Sequence, residues 1–345
     1  MISLSRISLL ATSLLLSGPL AAQTVFTQSA GYVKIGNTTA GENAIPANTD
    51  YRISVPFDTK REFVGTVSST SATEITVDGN PSFATDQWSI ISGIPYQARI
   101  SNGDEEGLWA VVVSNTADTL SVIVEVGDLT NVQPGDGLEI LPCWTVASLF
   151  ADQEIPPGTQ ILLFSGNLPG ENISSDTILV WNGTNWLFLL GRPEDAPDLI
   201  ADDLVIHPGE SFILRTLANP IANLALFGTV PSTRHRIVVS KLDASLPQDS
   251  TIGYFGPVPE PIGDSNLGFN PGDQLLVFDN LNPGINQSAS RILFFSGSAW
   301  FGLLGISGDV SDSFMLEPGA GYILRQPSIA PAVDTEWRDV QSFNE

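Results

Sequence analysis

The sequence predicts an all-β protein: two duplicated β-sandwich-like or barrel-like units of antiparallel hairpins, with a small β-barrel-like module inserted into the first. Three observations predict it. With 31 Gly and 24 Pro, the chain is punctuated too often for long helices, and its apolar positions favour Val, Ile, Thr and Phe, which pack well on a pleated surface. No amphipathic stretch of helical period exceeds about two turns. The segment TILVWNGTNWLFLLG at Thr177–Gly191 returns as RILFFSGSAWFGLLG at Arg291–Gly305, and an internal repeat defines the architecture before any single motif does.

Taken from the N-terminus, residues 1–22 read as a signal peptide. Arg6 supplies the positive charge, Ile7–Leu16 the apolar run, and Ala21-Ala22 a small-residue cleavage site before Gln23. The run is shorter than the roughly 20 residues a membrane span needs, and no cysteine follows it to carry a lipid. The expectation is an exported protein, periplasmic, cell-surface or secreted, with no transmembrane segment. Strands are expected at Gly31–Ile35 and Tyr51–Val55, with Pro56 ending the second. Phe63–Pro81 and Leu108–Val126 each read as a hairpin. Between them fall strands Gln87–Ile91 and Tyr96–Ile100, the latter closed by an exposed turn, Asn102–Gly107. Pro134-Gly135-Asp136-Gly137 then turns the chain into Leu138–Leu141.

The duplication sets the remaining boundaries. Residues 157–191 align without a gap with 271–305, and after a short deletion HPGESFILR at 207–215 matches EPGAGYILR at 317–325. Asn-Gly at 182–183 suggests a type I′ turn, which needs positive φ at both central residues. The positions shared by both copies include Gly183 and Gly297, Trp186 and Trp300, Pro208-Gly209 and Pro318-Gly319, and Arg215 and Arg325. These are residues that serve turns, packing and cross-strand pairing, so scaffold is the expected role. Upstream, Asp50-Tyr-Arg-Ile-Ser-Val can be laid against Asp249-Ser-Thr-Ile-Gly-Tyr. The resulting division is a first β unit at 23–230 with a small module inserted at about 63–141, a second unit at 231–330 repeating about 157–215, and a tail at 331–345.

Several stretches also carry a family resemblance. GYVKI, ISVPF, EFVGTVSSTSATEITVDGNP, the EEG turn, GDLTNVQPGDGLEILPCWTVASLF, PGDQLLVFDN and EWRDV, in that order, resemble a family of exported, β-rich bacterial proteins that often occur as several paralogues. The resemblance spans essentially the whole mature chain. It implies an exported protein and supplies no catalytic residues. It departs at Cys143, where a Tyr usually precedes the Trp.

Chemistry is sparse. A net charge of −24 with 14 Lys and Arg disfavours nucleic acid and anionic membrane surfaces. Cys143, the one cysteine, reads as a small buried hydrophobe. The two histidines, His207 in a turn and His235 before a strand, are expected at the surface and complete no catalytic or metal motif. Acids at Asp104-Glu105-Glu106, Asp202-Asp203, Asp309 and Asp312 are candidates for carboxylate glycosidase or lyase chemistry, which needs two acids across a cleft. Solvated loop acids and strand caps are the default. No cofactor is implied by the motifs; calcium would be the one to fit, at Asp264–Gly268, which lacks the closing glutamate, or at Asn102–Gly107. Trp181, Trp186 and Trp300 could stack on sugars but sit inside apolar strands. The functional expectation is a non-enzymatic structural or interaction protein of the cell envelope or exterior, with itself, other envelope proteins or polysaccharide as partners. Carbohydrate binding is the alternative. The places to look are where the copies differ: Arg192–Ala201, the inserted module and Tyr254–Phe269.

Overall fold

The structure is a computed structural model that describes residues 28–39, 42–90, 93–124, 127–164, 166, 169–194 and 199–339. The signal-peptide segment 1–22, positions 195–198 of the Arg192–Ala201 stretch, and the tail end 340–345 lie outside the described residues. The fold is all-β. Among the described residues no helix is long and apolar enough to cross a membrane.

Two sheets repeat one plan. In the first, the strands lie in the order Trp186–Leu190, Thr177–Trp181, Gln160–Leu163, Ser211–Thr216, Thr49–Ser54. In the second the order is Trp300–Leu304, Arg291–Phe295, Gln274–Val277, Gly321–Gln326, Gln248–Gly253, with Gly308–Asp309 added outside Trp300–Leu304. Register repeats as well. Gln160 lies between Val180 and Arg215, and Gln274 between Phe294 and Arg325. Both hairpins shift register at the same place, between Ile178 and Leu179 and between Ile292 and Leu293. A flanking ribbon accompanies each sheet: Ala30–Lys34 with Ala225–Thr229, and His235–Val239 with Thr335–Asp339.

The hairpin loops differ from the type I′ expectation. Trp181 pairs with Trp186 across a longer loop in which Gly183 takes φ 99° while Asn182 does not turn left-handed. The Asn182 carboxamide oxygen accepts instead from the backbone of Thr184 and Asn185, and an Asx turn replaces the second positive φ. Ser296 does the same for Ala299 in the second copy.

Between Ser54 and Gln160 the chain builds a closed barrel. Its order is Gly137–Pro142, Phe63–Thr70, Glu74–Val77, Thr119–Val124, Trp109–Asn115, Tyr96–Ile100, the last pairing back onto the first. Closure leaves no open edge. The expected strand at Gln87–Ile91 is absent over its described part, 87–90, which forms turns. Asn115 explains this: its side chain accepts from Trp88 N and donates to Ala84 O, winding the segment so that Trp88 and Phe83 join the barrel core. Each module has its own core, and Trp186 in the first and Trp300 with Trp337 in the second, each 1% exposed, are the largest fully buried side chains. At about 25 cal/mol per Å2 of buried apolar area, an indole of this size is among the largest single contributions to a core.

The barrel is fastened by buried charge. Arg99 forks onto Asp58 at 2.8 and 2.7 Å and reaches Glu139 at 2.8 Å, and Glu139 also meets Arg61. The Asn102–Gly107 turn is exposed over Asn102–Asp104, as the sequence suggests, but not beyond. Arg236 of the second unit enters it, pairing with Glu105 and donating to the Asp104 and Glu106 carbonyls, so Glu105 is buried. His235 is likewise buried at 3% exposure, its ring stacked 4.3 Å from that of Phe255. Its position beside Asp58 and Arg99 at the seam of all three modules, rather than on a free strand end, accounts for the burial.

Candidate functional site

The two sheets meet along Thr49–Ser54 and Gln248–Gly253, and what each gives the other is reciprocal. Asp50 N donates to Gly284 O at 2.8 Å, and Asp249 N donates to Gly170 O at 3.0 Å. Arg215 forks onto Asp50 at 2.6 and 2.8 Å and donates to the Asn286 side chain at 2.8 Å. In the other half Arg325 forks onto Asp249 at 2.6 and 2.9 Å and donates to the Asn172 side chain at 3.1 Å. Asn286 N returns a bond to Asp50, and Asn172 N to Asp249. Each copy therefore closes the Asp–Arg pair of the other. Exchange of this kind is the signature of an isologous, twofold interface, formed here within one chain.

Side-chain volume enforces the same axis. A Cβ on Gly253 would lie 2.2 Å from the Cβ of its own counterpart, Ser54, and one on Gly321 would lie 2.7 Å from the Cβ of its counterpart Ser211. Equivalent residues meet one another at a twofold axis, so only one of each pair can carry a side chain. Gly209 O and Gly319 O complete the seam by accepting from Gly253 N at 2.9 Å and Ser54 N at 3.0 Å.

A groove of about 620 Å3 lies on this axis. Leu162 and Ile213 of the first sheet face Leu276 and Ile323 of the second, and the two Asp–Arg–Asn sets close its ends. One charge breaks the symmetry: Arg52 stands where the second copy has Thr251. Its guanidinium lies 4.4 Å from the ring centre of Phe278 and 5.5 Å from that of Phe164, themselves counterparts. Arg52 is 6% exposed, and its Nη1 has no hydrogen-bond partner. Burial pulls its pKa down to about 10, against the pull of Asp50 and Asp249, so it remains a cation at neutral pH. The backbone beneath is fixed by Asn280, which accepts from Arg52 N at 3.0 Å and donates to Arg52 O at 2.8 Å.

The residues singled out in sequence divide between architecture and this site. Gly183, Trp186, Gly297 and Trp300 belong to turns and cores away from the axis. Pro208-Gly209 and Pro318-Gly319 shape the turns whose glycine carbonyls cross it, and Arg215 and Arg325 hold its ends. Asp50, Asp249, Phe164 and Phe278 read in sequence as matched repeat positions rather than site residues, and Arg52 carries no signal of its own there. The signal for the axis was present as the Ser211/Gly321 and Ser54/Gly253 mismatches within matched segments.

Other candidates are already engaged. Asp202 accepts from Trp186 N at 2.7 Å and caps the hairpin strand, and Asp309 accepts from Ser311 N at 3.0 Å. In the Asp264–Gly268 loop the Ser265 and Leu267 carbonyls accept from the indoles of Trp337 and Trp300. Among the described residues no group of three or more His, Cys, Asp or Glu side chains is arranged to hold a metal ion. Trp186 and Trp300 have no exposed face for a sugar, and Trp181 packs on the first core. His207 is exposed at a turn beside Trp109, and Cys143 is buried, its thiol pushed up to about 12 by desolvation. Comparison with known proteins returned no matching family model, no matching curated protein and no matching solved structure.

Proposed function

We propose that the protein is an exported, non-enzymatic interaction protein of the cell envelope or exterior, related to the bacterial family its motifs resemble, and that it binds through the groove between its two β units. The observation that carries this reading is the pairing of an apolar groove with charges that are already neutralised. Asp50 and Asp249 are each held by a forked arginine, an arrangement suited to rigidity and poorly suited to proton transfer. Sheet edges are weaker candidates. The outer edge of the first sheet is covered by Leu199–Ala201, that of the second by Gly308–Asp309, and the inner edges meet at the axis. A test is binding of the neutral apolar dye Nile red. Saturable binding at one site per chain is expected, and Ile178→Asp with Ile292→Asp, at two counterpart positions that also line the groove, should abolish it while thermal unfolding stays cooperative. A folded protein that takes up no dye contradicts the reading.

One observation favours a second reading. Tyr32 and Phe227, 62% and 55% exposed, stack at 6.0 Å on the outer ribbon and offer aromatic faces to a polysaccharide. A glycan array probed with the protein and with Phe227→Ala would show binding that the substitution removes; no binding to any glycan would end it.

A further inference from the structure

We propose that Arg52 is an anion-binding group and that the groove takes an amphipathic monoanion, a carboxylate on an aliphatic or aryl body. The inference rests on the groove being a binding site and adds the chemistry of its ligand.

Three observations carry it. First, Arg52 is a buried cation with an unpartnered donor: its Nη1 makes no hydrogen bond, and the residue is 6% exposed. A buried guanidinium N–H left without an acceptor is costly, and a phenylalanine face offsets only part of that cost. Second, the neighbouring charges are committed elsewhere. Asp50 is forked by Arg215 and Asp249 by Arg325, which also meets Glu171 at 3.2 Å. Neither aspartate is within salt-bridge distance of Arg52. Third, the repeat supplies its own control. The apolar pairs Leu162/Leu276 and Ile213/Ile323 and the Asp–Arg–Asn ends recur in both copies, whereas Arg52 is matched by Thr251, so the charge is an addition to a groove that the scaffold already formed.

The ligand class follows from the surroundings. About 620 Å3 suits a small molecule. Leu162, Ile213, Leu276 and Ile323 would cover an apolar body, and a carboxylate matches the planar donors of a guanidinium. A chain with a net charge of −24 repels polyanions at long range, which leaves a single negative charge whose binding energy comes mainly from the apolar part.

The test is titration calorimetry of decanoate and decanol against the full chain at pH 7.5. Wild type should bind decanoate at one site per chain and at least about tenfold more tightly than decanol, as a charge-assisted bond predicts. Arg52→Met should weaken decanoate at least about tenfold and leave decanol within about twofold, and Arg52→Lys should fall between. Equal wild-type affinity for the two probes overturns the anion site while the groove reading stands, and it does so without any variant. So does unchanged decanoate binding by Arg52→Met. Failure of both probes to bind wild type overturns both readings. Should Arg52→Met unfold, Arg52→Thr, which copies the second unit, gives the same comparison.

Discussion

The sheet containing Thr49–Ser54 and the sheet containing Gln248–Gly253 share strand order, register and even the place where their hairpins slip. They part company at the axis, where Ser54 meets Gly253, Ser211 meets Gly321 and Arg52 stands opposite Thr251. In a homodimer of identical chains, both partners would have to carry glycine at the first two places, and a buried arginine would come twice or not at all. Fusion into one chain removes that constraint. One copy can then grow into space the other vacates, and a single charge can sit between two equivalent phenylalanines. Copies agree where the architecture needs them to, and they diverge where divergence produces something a symmetric pair could not.

That comparison can be broken in graded steps. The largest effect is expected from Gly321→Leu, whose Cβ would sit 2.7 Å from Ser211 Cβ and 2.8 Å from Arg52 Cγ. Overpacking two main chains at a seam should cost about 3 kcal/mol or more in urea unfolding. Next comes acid. His235 has its pKa lowered to about 4 by burial, with Asp58 opposing and Arg99 assisting. The native state therefore binds fewer protons than the unfolded chain, so this contribution is complete above pH 6.5 and is lost as pH falls toward 4. The loss should be on the order of 3 kcal/mol, and His235→Phe should remove most of it. Asp58 adds to the loss at lower pH. Its burial would raise its pKa, but Arg99 outweighs that and holds it below the usual carboxylate range, so its contribution fades only as pH falls below about 4. The twofold seam, by contrast, is tested by Asp50→Ala, which leaves Arg215 no carboxylate partner and should cost about 2–4 kcal/mol, with Asp249→Ala somewhat behind because Arg325 keeps Glu171. The smallest step is Asn172→Ala or Asn286→Ala, about 1 kcal/mol each. Near-equal values for the two asparagines are the sharper outcome, because reciprocity demands them.

Much of the fold could be read from residues alone because repeats and turns are local signals. The 157–191 and 271–305 match, the Pro-Gly strand starts and the Asp50/Asp249 alignment each correspond to an observed element. The segments that misled did so for tertiary reasons. Gln87–Ile91 alternates like a strand, but its described part, 87–90, answers to an Asn115 side chain from another hairpin, and Glu105 in the acidic Asn102–Gly107 turn looks solvated until Arg236 arrives from the second unit. The site was harder still. Arg52 sits in an ordinary strand sequence, and neighbours distant in the chain, Phe164 from its own copy and Phe278 from the other, lie over the buried cation. The segments that differ most between copies do not line the groove, whose one unmatched charge lies inside a matched strand.

The central claim is that equivalent residues of the two copies meet at one axis, and exchanging a pair tests it directly. Gly253→Ser alone puts a Cβ 2.2 Å from that of Ser54 and should cost about 2 kcal/mol or more. Adding Ser54→Gly frees the space. The new serine can then donate to Glu210 O, which lies 3.3 Å from its Cβ position, as Ser54 Oγ now donates to Ala320 O at 2.9 Å. The account predicts that the exchanged protein regains wild-type stability to within about 0.5 kcal/mol, a large favourable coupling in a double-mutant cycle. Additive losses, leaving the exchanged protein less stable than either single variant, would contradict it.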